Sequence, residues 1–157
     1  MRKIVLFSLL CFLCMAVMPV FADGQVVGDK TLVDTAYDKG LLINLNDWFN
    51  THQLAAGAAA RGDKVFDSPR SQVLLLTSKG PIPMHYHQSA DEIVYIVSGN
   101  GEMFIDGKWI PVKKGDLHVN PRGIIHATRI VGDEELRVLS IFTPPQANGN
   151  DRVMVKQ

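Results

Sequence analysis

Two histidines, His85 and His87, stand two positions apart in a segment that is typical of a β-strand. Residues i and i+2 of a strand point to the same face, so this spacing predicts that both imidazoles face the same way. The segment 88–91 is typical of a turn, and Glu92 opens the next predicted strand. We expect a hairpin to bring the Glu92 carboxylate back beside the histidines. Two imidazoles and a carboxylate are ligands that divalent transition metals take in proteins.

A further imidazole stands later in the chain, at His126. It follows a corner of Pro121, Arg122 and Gly123, and we expect the strand that starts there to point His126 back toward the histidine pair. His118 precedes the corner and is a candidate general base, but the bend at Pro121 resets the alternation and leaves its face open. We interpret Arg122 as a solvated corner residue, with recognition of a carboxylate ligand as the alternative.

The elements that must position these donors are short strands. From residue 63 onward, β-branched and apolar segments alternate with turns rich in Gly, Pro and Asp, and Asp106-Gly107 is typical of a tight two-residue hairpin turn. No helical pattern separates these strands, which argues against a parallel sheet. The chain is therefore predicted to be all-β. The predicted strands cover residues 64–66, 71–78, the segment with His85 and His87, 93–98, 102–105, 108–112, 117–120, 125–131 and 135–142, with a further edge strand at 153–155.

The chain is predicted to divide into four parts. Residues 1–22 have a short basic start, an apolar run and a small-residue end, as in a secretory signal peptide; a retained anchor helix is the alternative. Residues 23–62 form an arm, with an edge strand at 31–33 or no fixed structure, and then one helix over 41–61. Residues 63–145 form the β domain, and residues 146–157 form a tail. Asn46 is the expected cap of the helix, and Trp48 and Phe49 are expected to dock on the β domain.

Size and charge exclude some classes of function. The chain has 157 residues, 46% of them hydrophobic, which is enough for one domain with a core. Its formal net charge is zero, so no basic field favours nucleic acid. Cys11 and Cys14 both lie in the signal peptide, so the processed protein would have no disulfide or thiolate chemistry. We expect a periplasmic or secreted protein that does not contact the membrane once the signal is removed.

The sequence resembles the cupin superfamily, whose members are small double-stranded β-helix or jelly-roll barrels. The resemblance covers about residues 63–143 and depends on two motifs in the family's order. The first motif is a glycine, His-x-His, a glutamate and a glycine, with a first interval one residue shorter than usual; it corresponds to Gly80, His85, His87, Glu92 and Gly99. The second motif is a glycine followed by Pro-x-Gly-x-x-His; it corresponds to Gly115, Pro121, Gly123 and His126.

The resemblance implies that His85, His87, Glu92 and His126 bind one divalent transition metal: iron, manganese, nickel, copper or zinc. It also implies a metal-dependent enzyme of the oxygenase, isomerase, decarboxylase or lyase type that acts on a small oxygen-rich organic molecule. The alternative is a non-catalytic periplasmic protein that binds a small ligand or a metal. Cupin-like domains commonly pair through sheet edges, so we expect a homodimer.

Overall fold

The computed structural model describes residues 27–28, 39–147 and 151–155. The predicted signal peptide (1–22) and the predicted edge strand at 31–33 lie outside these residues. No helix in the described ranges is both long and apolar enough to cross a membrane.

The described residues fold as two β-sheets and one short helix. The six-stranded sheet has the order β1-β2-β3-β10-β5-β8, and the five-stranded sheet has the order β11-β4-β9-β6-β7. All strand pairs are antiparallel except β1 with β2. β1 precedes the helix in the chain and β2 follows it, and the two strands pair in parallel over two residues, contrary to our expectation that no strands pair in parallel. The strands are β1 Val27–Gly28, β2 Ala60–Asp67, β3 Gln72–Ser78, β4 Ile82–His87, β5 Asp91–Ser98, β6 Asn100–Ile105, β7 Lys108–Lys113, β8 Leu117–Asn120, β9 His126–Ile130, β10 Leu136–Thr143 and β11 Arg152–Met154.

The two sheets pack face to face as a jelly roll, which confirms the predicted fold class. Their inner faces share one apolar cluster, to which β5 and β10 contribute from one sheet and β6 and β7 from the other. The barrel that the resemblance implies does not close, because no described strand of one sheet is hydrogen-bonded to a strand of the other. The cluster comprises Val94, Ile96, Met103, Val112, Leu136 and Val138.

Two turns show why glycine stands where it does. Asp106 and Gly107 both have positive φ values, 48° and 76°, which confirms the predicted two-residue turn between β6 and β7. Gly99 has a φ of 84°, and a Cβ there would collide with the backbone carbonyl of Glu135. The glycine that ends the first motif therefore allows β5 and the start of β10 to approach closely.

The helix is shorter than predicted. Helix α1 covers Leu45–Thr51, and its cap is Asn44 rather than Asn46, because the Asn44 side chain accepts a hydrogen bond from the Asp47 amide at 3.1 Å. The alanine-rich segment after it does not continue the helix, since Gly57 takes a φ of 80° and Ala60 already pairs with β3. The predicted docking is confirmed, because Phe49 is 2% exposed and packs against buried side chains of β2, β3 and β5.

The helix contact gives a direct test of this docking. Phe49→Ala removes a buried ring and is expected to lower the free energy of unfolding by about 3–5 kcal/mol, measured by urea denaturation. Leu42→Ala is the matched control, because Leu42 is 98% exposed. Equal losses of stability for the two variants would contradict the described docking of α1.

Candidate metal centre

The three histidines converge inside the sandwich, as the sequence predicts. His85 and His87 point inward from β4, and His126 begins the neighbouring strand β9 in direct register with His85. The ring centroid of His85 lies 5.2 Å from that of His87 and 4.3 Å from that of His126. One ring nitrogen from each of the three lies within 4.8 Å of the others, and all three side chains are buried. Together these nitrogens could hold a metal ion.

Glu92 reaches the histidines by a different route from the one predicted. The hairpin interpretation is wrong, because β4 and β5 belong to opposite sheets and the chain crosses between them at residues 88–90. The Glu92 Oε2 atom nevertheless lies 3.3 Å from Nε2 of His126 and 3.8 Å from Nε2 of His87. Asn120 lies opposite Glu92 on the adjacent strand β8 and donates a hydrogen bond to the same oxygen at 3.0 Å. Glu92 as fourth ligand stays a prediction.

Backbone carbonyls fix the orientation of two of the rings. Nδ1 of His85 lies 2.7 Å from the carbonyl oxygen of Pro83, and Nδ1 of His126 lies 2.9 Å from that of Ile124. A carbonyl can only accept, so each Nδ1 must carry the proton. The lone pair is then on Nε2, which is the arrangement of metal-bound histidines whose other nitrogen donates to an outer partner.

His87 is oriented by a residue that the sequence analysis missed. Its Nδ1 lies 2.7 Å from Oδ1 of Asp151, which immediately precedes β11. The sequence pattern predicts a tail at residues 146–157 that includes an edge strand at 153–155. The edge strand is confirmed, since β11 pairs with β4. The pattern could not show which edge it joins, and therefore gave no sign that Asp151 lies beside His87.

The electrostatics of the cluster fit a bound cation. Nε2 of His87 and Nε2 of His126 are buried and have no hydrogen-bonding partner in the described part of the chain, which is costly unless something else satisfies them. Burial, helped by nearby Arg152, lowers the pKa of His85 to about 3, so this imidazole stays neutral. Burial alone would raise the pKa of Glu92, but the proximity of His126 and His87 and the hydrogen bond from Asn120 lower it to about 2. Neutral imidazoles beside a carboxylate are a donor set that suits a divalent transition metal.

The cluster opens onto a cavity of about 40 Å³, room for a few water-sized groups. Its walls carry both apolar and polar side chains, and Val94 lines it two residues after Glu92 on the same strand, as strand alternation requires. His118 also lines this cavity, which decides the face that the sequence left open, and its Nδ1 lies 3.1 Å from the sulfur of Met103. Burial and the proximity of His126 lower the pKa of His118. A catalytic role for His118 stays a prediction.

The candidate Arg122 and the remaining histidine, His52, lie apart from the cavity. Arg122 is exposed, and its backbone amide donates to Asp91 at the turn, which agrees with a solvated corner residue. His52 stacks on Trp48 at the end of α1, with a centroid distance of 3.9 Å, and takes no part in the histidine cluster.

Comparison with known proteins identifies the family. The family model of the cupin domain matches residues 73–142. An uncharacterized protein of Aquifex aeolicus is 32% identical over 94 residues, which are 59% of this chain and 75% of that protein. This chain therefore belongs to the cupin superfamily.

Two further similarities are more partial. The oxalate-binding protein of Thermotoga maritima is 32% identical over 61 residues, 39% of this chain. The chain spans only 50% of the length of that relative. A crystal structure of a conserved protein with a double-stranded β-helix domain from Klebsiella pneumoniae superposes with a TM-score of 0.60 at 18% identity, covering 74% of this chain and 97% of that one. At this identity the structural similarity establishes the fold alone.

Metal titration tests the cluster directly. We expect metal-free protein to bind one Co²⁺ per chain, and His126→Ala to weaken that binding by more than about 100-fold, because loss of an outer-shell partner alone typically costs 10–100-fold. His52→Ala, at the end of α1, is the control and should bind like the unmodified protein. The Co²⁺ affinity is measured by calorimetry or absorption spectroscopy. Equal affinity of all three proteins would rule the cluster out as the metal site.

Proposed function

We propose that this protein is a metal-dependent enzyme that acts on a small oxygen-rich organic molecule, with the metal held by His85, His87, Glu92 and His126. The observation that carries the proposal is the inward convergence of one ring nitrogen from each of the three histidines beside a carboxylate, at the wall of a small cavity. Iron, manganese, nickel, copper and zinc all accept such ligands. Any of them would supply a Lewis acid at which oxygen atoms of a substrate are polarised.

Arg152 gives the cavity a preference for anions. Its side chain lines the cavity together with His85 and Glu92. A divalent cation held by neutral imidazoles and one carboxylate keeps a net positive charge, and the permanently charged guanidinium adds to it. A carboxylate substrate, which a guanidinium can bind through two parallel hydrogen bonds, is therefore favoured over a neutral one.

His118 is the residue best placed to move a proton. It lies in the cavity wall, and its lowered pKa keeps the imidazole neutral near pH 7, so that the ring can accept a proton from a bound molecule. The apolar side chains of Val94, Leu136 and Val138 limit the entry of water around it.

A non-catalytic binding protein is the second candidate. The specific observation in its favour is the similarity to a protein of Thermotoga maritima that is named for binding oxalate. Such a protein would use the same metal centre and the same Arg152, and would release its ligand unchanged.

Turnover separates the two candidates. Metal-loaded protein is incubated with a panel of small dicarboxylates, hydroxy acids, diols and enediols, while oxygen uptake and product formation are measured. We expect consumption of at least one anionic compound, loss of that activity in His126→Ala, and a rise in KM of about tenfold or more in Arg152→Gln assayed at saturating metal. Tight binding of a ligand without turnover across the panel would support the binding protein instead.

We also propose that the protein is exported and forms a homodimer. Export is supported by the signal-like pattern of residues 1–22. Dimerisation is supported by β8, the edge strand of the six-stranded sheet, where Leu117 and Val119 are 64% and 51% exposed. An exposed apolar edge is a ready surface for pairing with a second copy.

Light scattering tests the pairing surface. We expect a dimer for the chain without residues 1–22 and a monomer for its Val119→Lys variant, because a lysine on the edge strand opposes pairing. Ile110→Lys is the control, since Ile110 is a 42% exposed residue on the edge strand of the other sheet. A monomeric unmodified protein, or a dimeric Val119→Lys variant, would refute the proposal.

A further inference from the structure

Asp151 connects the end of the chain to the histidine cluster. Its side chain is 3% exposed. One oxygen accepts from Nδ1 of His87 at 2.7 Å, and the other accepts from the Ser89 amide at 2.9 Å, the Ser89 hydroxyl at 2.7 Å and the Ala90 amide at 3.0 Å. A buried carboxylate with four donors is held in one position, since losing any of them would leave charge unsatisfied.

The segment around Asp151 is attached to the same strand. The Gln88 amide donates to the Asp151 carbonyl at 3.2 Å, and the Val155 amide donates to the carbonyl of Met84 at 3.0 Å. Between these two bonds, Arg152 lies opposite His87 in the β11–β4 ladder. The segment 151–155 is therefore hydrogen-bonded alongside β4, the strand that carries two of the three histidines.

The three histidines differ in what fixes their tautomers. His85 and His126 each use a carbonyl two residues earlier in the chain, so their orientation needs nothing from distant parts of the sequence. His87 uses Asp151, which is 64 residues away in sequence and is the nearer of two partners of Nδ1; the side-chain amide of Gln146 lies 3.2 Å from the same nitrogen. One of the three donors thus depends on the docking of the C-terminal segment.

We propose that Asp151 is a positioning residue of the metal centre and that docking of the segment 151–155 and metal binding stabilise each other. The proposal deepens the proposed function and rests on its metal centre. Asp151 accepts the Nδ1 proton of His87 and so keeps the Nε2 lone pair directed at the other two rings. Without this acceptor, the neutral ring is free to carry its proton on Nε2, where it blocks ligation. By linkage, a metal bound at Nε2 of His87 favours the docked segment by the same factor.

Two variants and one control measure the positioning effect. Asp151→Ala is expected to weaken Co²⁺ binding by about 10–100-fold. Asp151→Asn should weaken it as much, because an amide has one acceptor oxygen, and the backbone amides of Ser89 and Ala90 take that oxygen and leave the NH2 group facing Nδ1 of His87. Asp133→Ala is the control, because Asp133 is exposed in the turn before β10 and should not change binding. Affinity within about twofold of the unmodified protein in Asp151→Ala would overturn the proposal, because the smallest loss expected for an outer-shell partner is about tenfold.

The tautomer of His87 provides a readout that general loss of structure would not produce. In metal-free protein, ¹⁵N chemical shifts of the imidazole should show the proton on Nδ1 in the unmodified protein and a shift toward Nε2 in both Asp151 variants. An unchanged tautomer in Asp151→Ala would overturn the proposal. If the alanine variant fails to fold, the unmodified protein decides: a proton on Nε2 of His87 there would equally contradict the role assigned to Asp151.

Hydrogen exchange tests the linkage in the other direction. The Ala90 amide donates to Asp151, and the Val155 amide belongs to the docked segment itself. Both amides should exchange at least about tenfold more slowly when Co²⁺ is bound, and His126→Ala should abolish this effect. Identical exchange with and without bound metal would contradict the linkage. If the unmodified protein binds no metal, the proposed function fails, while the tautomer of His87 in the metal-free protein still decides the role of Asp151.

Discussion

The arrangement of the candidate metal centre depends on which ring nitrogen of each clustered histidine carries the proton. Each of the three buried rings gives its Nδ1 proton to a fixed acceptor, a backbone carbonyl for His85 and His126 and the Asp151 carboxylate for His87. The three Nε2 lone pairs are therefore directed at one another and at the Glu92 carboxylate, an arrangement in which no hydrogen bond among the rings can form. A cation at their centre converts this repulsive group of acceptors into a coordination site.

The fold supplies these positions from both sheets. The five-stranded sheet carries all three histidines on the adjacent strands β4 and β9, where antiparallel register sets their spacing. The opposite sheet supplies Glu92 and its partner Asn120, also neighbours in register. Because the apolar cluster holds the two inner faces together, the acid is kept against the imidazoles by core packing rather than by a local turn. The centre and the hydrophobic core thus depend on the same packing.

Local rules predicted part of this arrangement. The common face of His85 and His87 follows from strand alternation, and the inward face of Val94 follows in the same way. The same rules failed for residues whose contacting partners are distant in sequence. Strand alternation cannot say which sheet a strand joins, so Glu92 was placed by a hairpin that does not exist. Helix propensity favours the alanines after α1, but Ala60 pairs with Ser78 of β3, and this tertiary pairing prevails. The role of Asp151 depends on a contact across 64 residues, which no local pattern encodes.

X-ray absorption spectroscopy of protein carrying its bound metal tests the central claim most directly. The account predicts one ion per chain whose first shell contains three imidazole nitrogens, seen through the multiple scattering of the rings, together with oxygen ligands. A first shell made of oxygen alone, or of a single imidazole, would contradict it, because the three convergent Nε2 atoms would then serve some other purpose.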